Sequence, residues 1–341
     1  MIEVAQTLEF ALPPELEAHE PPEARGIARD GVGMLVSGAR RGSNAHASFH
    51  DLPDFLEPGD VLVVNTSATL PAALEATSRS GQRIGLHVST RLAAGLTVVE
   101  PRNTAVIEGD VLSLAAGGTV RLLSPYKASQ RLWIAAFDLP EPLLTFLAHH
   151  GSPIQYPYVR AKWPLEVYQT IFALHPGSAE MPSAGRPFTA RVVERLVKKG
   201  ITIVPLLLHC GVASLERDEP PYSEYFDVSE TTVAAVEQAR SQHRHVVAVG
   251  TTAARALESC FDERGRLVAS RGWTDHLITP DVGIRSFDAL LTGFHETRSS
   301  HLAILQALLG RSGVATAYEA ALAHGYLWHE FGDVHLIQQN R

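Results

Sequence analysis

The stretch GDVLVVNTS, Gly59 to Ser67, constrains the fold more than any other. Val61 to Val64 are apolar without alternation, the pattern of a strand covered on both faces. Such a strand belongs inside an α/β sheet, yet the chain that follows has a different character. Pro71 closes the segment, and from Ala72 to about Leu139 short runs recur: RIGLHVSTRL, LTVVEPR, VLSLAA, TVRLLS and RLWIAAFDL. Turn signals at Ser80-Gly81, Ala94-Gly95, Gly109-Asp110 and Gly117-Gly118 separate them. Short strands at this spacing predict a small β-barrel or sandwich. A short helix, PEPLLTFLAHHG, follows.

Only from about residue 165 do strands and helices alternate. TARVVERLVKKG reads as a helix with Thr189 as N-cap, an apolar stripe at Val192, Val193, Leu196 and Val197, and Gly200 as its stop. ITIVPLLLHCG is a strand in which Pro205 predicts an edge position or a bulge. SETTVAAVEQARSQ is a helix capped by Ser229, FDALLTGFH and GDVHLI are strands, and SSHLAILQALLG and ATAYEAALAHG are helices ending at Gly310 and Gly325. The strand at 61–67 matches this later pattern with an all-β block between. The expected fold is therefore α/β, a discontinuous α/β domain (1–71 and 151–341) with an inserted small β-barrel domain (72–150).

A chain of 341 residues is long enough for both cores. No apolar run approaches the ~20 residues of a membrane span. The start, MIEVAQTLEF, carries acids where a secretory signal carries Lys or Arg. A cytoplasmic protein that engages no membrane is expected. Cys210 and Cys260 give no disulfide framework, and the 16 His are scattered without metal-ligand spacing, so no metal is expected. A net charge of −8 argues against wrapping a large nucleic-acid surface but leaves room for a local basic face.

Familiar nucleotide and hydrolase signatures are absent. GVGMLVSG lacks the third glycine and the helix of a dinucleotide fingerprint, and neither a P-loop nor a G-x-S-x-G elbow occurs. What remains is a set of turns at the ends of apolar strands: Asn65-Thr66-Ser67, LHCGVAS at 208–214, GTTAAR at 250–255 and LTGFHETRSS at 291–300. Ligands gather at such points in open α/β sheets. Gly250-Thr251-Thr252, between a strand and a helix, suits a carboxylate, a phosphate or a ribose hydroxyl; alternatively Thr251 or Thr252 merely caps the helix. Pro182, Ser183, Gly185 and Pro187 form a constrained loop, either a substrate loop or a plain connection. His209 and His295 each follow an apolar run. Glu224, Asp288 and Asp333 stand beside apolar residues, where desolvation would raise a carboxylate pKa and pairing with Arg would lower it.

Five segments in order, FLEPGDVLVVNTSATLPAAL, VYQTIFA, VVAVGTTAARALES, DALLTGFH and FGDVHLI, resemble one family. It is the S-adenosylmethionine:tRNA ribosyltransferase-isomerases of queuosine biosynthesis, and the resemblance runs over nearly the whole chain. It implies an α/β domain carrying an inserted β-barrel, in agreement with the organisation above. It also implies an enzyme that uses S-adenosylmethionine as a substrate and needs no metal or redox cofactor. The ribosyl group would pass to 7-aminomethyl-7-deazaguanine in tRNA and rearrange to an epoxycyclopentanediol, releasing adenine and methionine. Carried onto this sequence, the resemblance makes His209, Glu224, Asp288 and His295 the candidate catalytic residues. Candidate S-adenosylmethionine-binding residues are Asn65, Ser183, Gly185, Phe188, Gly250, Thr251, Thr252, Arg255, Thr292 and Phe294.

The chain also departs from the family pattern. Ala68 and Ala73 replace two arginines, EMPSAGRPF stands for AAPTAGLHF, Tyr222 replaces a His, Gly293 replaces an Asn, and YLWHEFGDVH stands for YRFFSYGDAM. Two alternatives follow: a divergent paralogue using S-adenosylmethionine or a related nucleoside with a non-tRNA acceptor, and a non-catalytic nucleoside-binding relative. The tRNA reading expects a basic groove at Arg191, Arg195, Lys198 and Lys199.

Overall fold

The computed structural model describes residues 8–38, 44–212, 221–297 and 299–339. Residues 1–7 of the acidic start, Ala213 and Ser214 of the LHCGVAS segment, and Arg298 lie outside the described residues.

Val61–Asn65 lies in the middle of a nine-stranded sheet, parallel to Thr202–Leu208 on one side and Val246–Val249 on the other. Val61 and Val63 enter one hydrophobic core with the helices Glu230–Ser241, Thr251–Glu258 and Ser300–His324. Leu62 and Val64 enter a second core on the opposite face, with Phe49, Phe188, Val192 and Leu196. Burial on both faces is why the run shows no alternation. Beyond Val246–Val249 come Ala289–Gly293, Val334–Gln338, Gly33–Ser37 and Ala45–Ser48; beyond Thr202–Leu208 come Glu224–Val228 and Ser270–Thr274. The sheet is mixed, since Ala289–Gly293 and Val334–Gln338 run antiparallel.

Pro205 sits in an interior strand, but the outer partner pairs only at Leu207 and Leu208. On that side Pro205 is locally at an edge and its missing N–H costs no ladder bond. Its carbonyl accepts from Thr232 Oγ1 at 2.6 Å. Thr189 and Ser229 cap their helices through Val192 N–H and Thr232 N–H. Val197 departs from the expected stripe and is exposed. The two helices expected before Gly325 are one element, Ser300–His324, broken at Gly310, where φ is 70° and ψ is 165°.

Six strands, Ala73–Thr77, Arg83–Arg91, Leu96–Arg102, Val111–Leu114, Thr119–Pro125 and Trp133–Asp138, close into an antiparallel barrel. Leu74, Ala76, Ile84, Leu86, Val99, Leu112, Val120 and Leu122 fill it, and Phe146 and Leu147 of the helix Leu143–His150 pack against them. The chain enters and leaves this region side by side. Ala73 and Ser152 exchange backbone hydrogen bonds at 2.8 and 2.9 Å. A Cβ on Gly151 would lie 1.9 Å from the Pro71 carbonyl oxygen, so only glycine fits the crossing.

Candidate active site

The strand Val246–Val249 stops at Gly250, which has φ 90° and ψ 153°, a conformation that glycine alone adopts without strain. Gly250 is itself the N-cap, and no side chain caps the helix Thr251–Glu258. The capping alternative for Thr251 and Thr252 is therefore not what the chain does. The two threonines occupy the first turn and, with Gly250 and Arg255, line a cavity of about 250 Å³. Uncapped N–H groups and the positive end of the helix face this space. Asn65 supports them from below. Its side-chain amide donates to the Leu208 carbonyl at 2.8 Å and reaches Thr252 Oγ1 at 3.4 Å, while its oxygen accepts from Ser67 and Leu208 N–H, each at 3.0 Å.

Arg255 is buried and forms an ion pair with Glu224, and it also donates to the carbonyls of His276 at 3.1 Å and Thr274 at 3.3 Å. The other Glu224 oxygen accepts from Gly211 N–H at 2.8 Å. This pair ties the helix to two outer strands and to the Gly211 turn, and it forms a neutral part of the cavity wall. Thr292, Phe294 and His295 approach from the end of Ala289–Gly293. Phe294 packs on Tyr318 and Trp328, with ring centroids 5.8 and 4.7 Å away. His295 Nε2 lies 2.8 Å from Thr292 Oγ1, and its ring is 4.6 Å from that of His301. Burial, reinforced by His301 and His335, holds the His295 pKa well below its usual value, so the ring is neutral at pH 7.

The remaining candidates stand elsewhere. Ser183 lines the cavity, but Gly185 packs against Thr170, where an added Cβ would lie 3.3 Å from Cγ2. Phe188 is 1% exposed and wedged between Phe49 and Phe172, so it supports the loop from inside the core. His209 bonds Ser67 Oγ at 2.7 Å, and its ring fills the space above Gly177, where an added Cβ would lie 2.3 Å from it. Burial, with the charges of Arg91 and His175, pushes its pKa down to about 4. Asp288 sits at the opposite end of its strand, 2.5 Å from His245 Nδ1. Neither His209 nor Asp288 lines the cavity.

Other cavity residues had no signal in a single motif. Ser89 and Arg131 come from the barrel side. Ser89 Oγ accepts from Val212 N–H at 2.8 Å, and Arg131 bridges Glu100 at 3.1 Å and the Val212 carbonyl at 3.3 Å. Tyr156, Tyr158, Tyr168, Glu180, His329 and Glu330 line the far side. Tyr156 donates to Glu180 and Tyr158 to Glu330. Burial, aided by the charge of Glu180, raises Glu330 to about 7 despite the Tyr158 hydrogen bond. Glu180 and Glu330 fall in EMPSAGRPF and YLWHEFGDVH, two of the segments that depart from the family pattern.

Two groups of side chains bear on the expectations about charge and metal. On the helix Ala190–Lys198, Arg191 pairs with Asp30 at 2.9 Å, Arg195 with Asp54 at 3.3 Å and Lys198 with Glu194 at 2.6 Å. Lys199 donates to the Pro53 carbonyl at 2.7 Å. The basic groove expected there is thus largely neutralised. Glu141 folds back onto His149 and His150, and their donor atoms lie within 4.8 Å of one another, a cluster that spacing alone did not suggest. None of the three lines the cavity. Among the described residues no helix is long and apolar enough to cross a membrane.

The fold is similar to that in the crystal structure of an S-adenosylmethionine tRNA ribosyltransferase from Thermotoga maritima. The TM-score is 0.54 at 28% sequence identity, over 96% of this chain and 99% of that one. A Thermus thermophilus protein named S-adenosylmethionine:tRNA ribosyltransferase-isomerase is 35% identical over 351 residues, covering 98% of this chain and all of the relative. A protein of the same name from Desulfitobacterium hafniense is 33% identical over 356 residues, covering 97% and 99%. The family model described as queuosine biosynthesis protein matches residues 5–337. Similarity that spans sheet, barrel and the cavity between them leaves one assignment: the chain belongs to the queuosine biosynthesis protein family.

Proposed function

We propose that this protein is an S-adenosylmethionine-dependent ribosyltransferase-isomerase. It adds an epoxycyclopentanediol to 7-aminomethyl-7-deazaguanine in tRNA and releases adenine and methionine. The observation that carries the reading is end-to-end similarity to relatives of that name at 33% and 35% identity. The cavity adds chemical support. Gly250, Thr251 and Thr252 offer hydroxyls and a helix N-terminus to the methionine carboxylate or a ribose hydroxyl of S-adenosylmethionine. Arg255, Ser183, Thr292 and Phe294 surround the same ligand, while Asn65, Gly185 and Phe188 hold the surrounding loops in place. His295, a neutral imidazole bonded to Thr292 Oγ1, stands beside it, and Glu224 fixes Arg255.

On this reading residues 1–71 and 151–341 form the body and 72–150 the insert, and the ligand binds where the two meet. Closure there excludes water from the reacting ribose. The site works in the cytoplasm on tRNA, and tRNA binding weakens as salt rises. Because the helix Ala190–Lys198 is neutralised, the contacts with tRNA lie on another face.

The test is an incubation of the purified protein with S-adenosylmethionine, with and without tRNA carrying the aminomethyl-deazaguanine, read by mass spectrometry. Adenine and methionine appear only with the tRNA, and the tRNA gains the epoxycyclopentanediol mass. Release without tRNA would point to another acceptor, and no release in either tube would overturn the reading.

A further inference from the structure

The far side of the cavity is built unlike the nucleoside end. Tyr156 and Tyr158 stand with ring centroids 5.9 Å apart and planes 22° from parallel, and each hydroxyl donates to a carboxylate, Glu180 and Glu330 respectively. His329 stacks on Tyr158 at 3.9 Å. Tyr168 is only 3% exposed and lines the same wall, yet its hydroxyl has no hydrogen-bond partner. The His329 side chain is 5% exposed, and its Nε2 makes no hydrogen bond, lying 3.7 Å from carboxylate oxygens of both Glu17 and Glu296. A buried hydroxyl such as that of Tyr168 calls for an explanation, and recognition of a ligand group supplies one.

Glu330 makes no ion pair with Lys or Arg among the described residues, and its carboxyl is held near 7 by burial and by Glu180. The nearby cation Arg186 is turned away, to Glu23 at 3.0 Å and the Val167 carbonyl at 3.0 Å. The wall therefore presents acceptor oxygens and negative charge to the cavity without a matching cation for Glu330.

We propose that the wall formed by Glu180, Glu330, Tyr156, Tyr158 and Tyr168 is a subsite for a protonated primary amine. An alkylammonium carries three N–H donors and one positive charge, which suit two carboxylates and a hydroxyl oxygen. Aromatic faces at the same point favour an organic cation. A neutral alcohol leaves the Glu330 charge uncompensated, and a sulfonium offers no N–H. The inference deepens the proposed function and rests on it for the source of the amine. That source is either the methionine amino group of S-adenosylmethionine or the aminomethyl group of the acceptor base.

The test titrates the full-length protein calorimetrically with benzylamine and with benzyl alcohol, its neutral counterpart, and then with S-adenosylmethionine and its desamino analogue. Wild type, Glu180→Gln and Glu330→Gln are compared, with circular dichroism checking that each variant folds; if one does not, the other carries the comparison. Wild type prefers benzylamine by about tenfold or more, and the preference collapses in the Gln variants. Equal binding of the two probes by wild type, no binding of benzylamine, or an unchanged preference in both variants overturns the subsite. Loss of S-adenosylmethionine affinity with the desamino analogue unaffected assigns the amine to methionine. Unchanged S-adenosylmethionine affinity with a raised KM for the aminomethyl tRNA assigns it to the acceptor. Equal loss for both nucleosides would mean sulfonium recognition and overturns the proposal. A wild type that prefers benzylamine but never consumes S-adenosylmethionine keeps the subsite and removes the ribosyltransferase reading.

Discussion

Thr251 and Thr252 sit at the start of a helix whose cap is a glycine, so neither hydroxyl is spent on capping it, and both residues line the cavity. The paired change Thr251→Val and Thr252→Val keeps shape and removes both hydroxyls. It is expected to weaken S-adenosylmethionine binding about tenfold, as the loss of one or two hydrogen bonds would, while the melting temperature stays within a degree or two. Unchanged affinity by calorimetry would return both residues to a purely local role. Glu330 allows a second test at this scale. Burial, with the charge of Glu180, raises its pKa from 4.5 to about 7 against the Tyr158 hydrogen bond and the Arg186 charge. A raised carboxylate pKa means a contribution to stability that is full below 4.5 and lost as pH rises through 7. The unliganded Glu330→Gln variant should therefore be more stable than wild type at pH 8, by up to about 3 kcal/mol, with the gap closing towards pH 5 in thermal melts. The sequence led to the threonines because a strand, a glycine and a helix are contiguous there; only the backbone angle of Gly250 separates cap from site. Asp288 illustrates the opposite case: it precedes its strand, and ligands gather where strands end. The Tyr156, Tyr158, Glu180 and Glu330 wall was not legible, because its residues meet only after the segments that carry them fold together.

Elements show which local patterns carry tertiary information. The unalternating Val61–Val64 run did so fully, since a strand buried on both faces leaves no other pattern. Pro205 did so in part: the residue marks a break in pairing, but whether the break is a sheet edge depends on how short the neighbouring strand is. The turn before Val334–Gln338 can be tested directly. Asp333 accepts from Gly33 N–H at 2.6 Å and Leu327 N–H at 2.7 Å, and a Cβ on Gly332 would meet the Leu327 carbonyl oxygen at 2.3 Å. Gly332→Ala should cost about 1–3 kcal/mol in urea unfolding, the range for forced overpacking. The barrel carries its own titrating element. Burial would raise Glu100, but the His87 hydrogen bond and the charges of Arg102 and Arg131 outweigh it and hold the carboxyl at about 2. That stabilisation is present above 4.5 and is lost as pH falls through 2. Glu100→Gln is expected to lower stability at pH 7 by up to about 3 kcal/mol. Melts of variant and wild type should converge in acid, and a constant gap across pH would refute the charge network as its cause.

For the whole molecule, the central strand is made early and completed late. Asp60 N-terminal to it bonds His245 N–H across 185 residues of chain, whereas every pairing in the barrel joins segments between residues 73 and 138. Contacts between distant segments form more slowly than local ones. Stopped-flow refolding of single-tryptophan variants should show Trp133, in the barrel, regaining its native signal before Trp328, in the body. Equal rates would mean that insert and body fold as one unit. During translation the order is imposed by the ribosome as well. The Val61–Val64 segment leaves the tunnel long before either strand that will flank it exists, and an unpaired apolar strand is a template for association between nascent chains. The placement of one strand thus gives this protein a vulnerable interval in its synthesis, and its yield in a cell will depend on what shields that segment until the C-terminal half arrives.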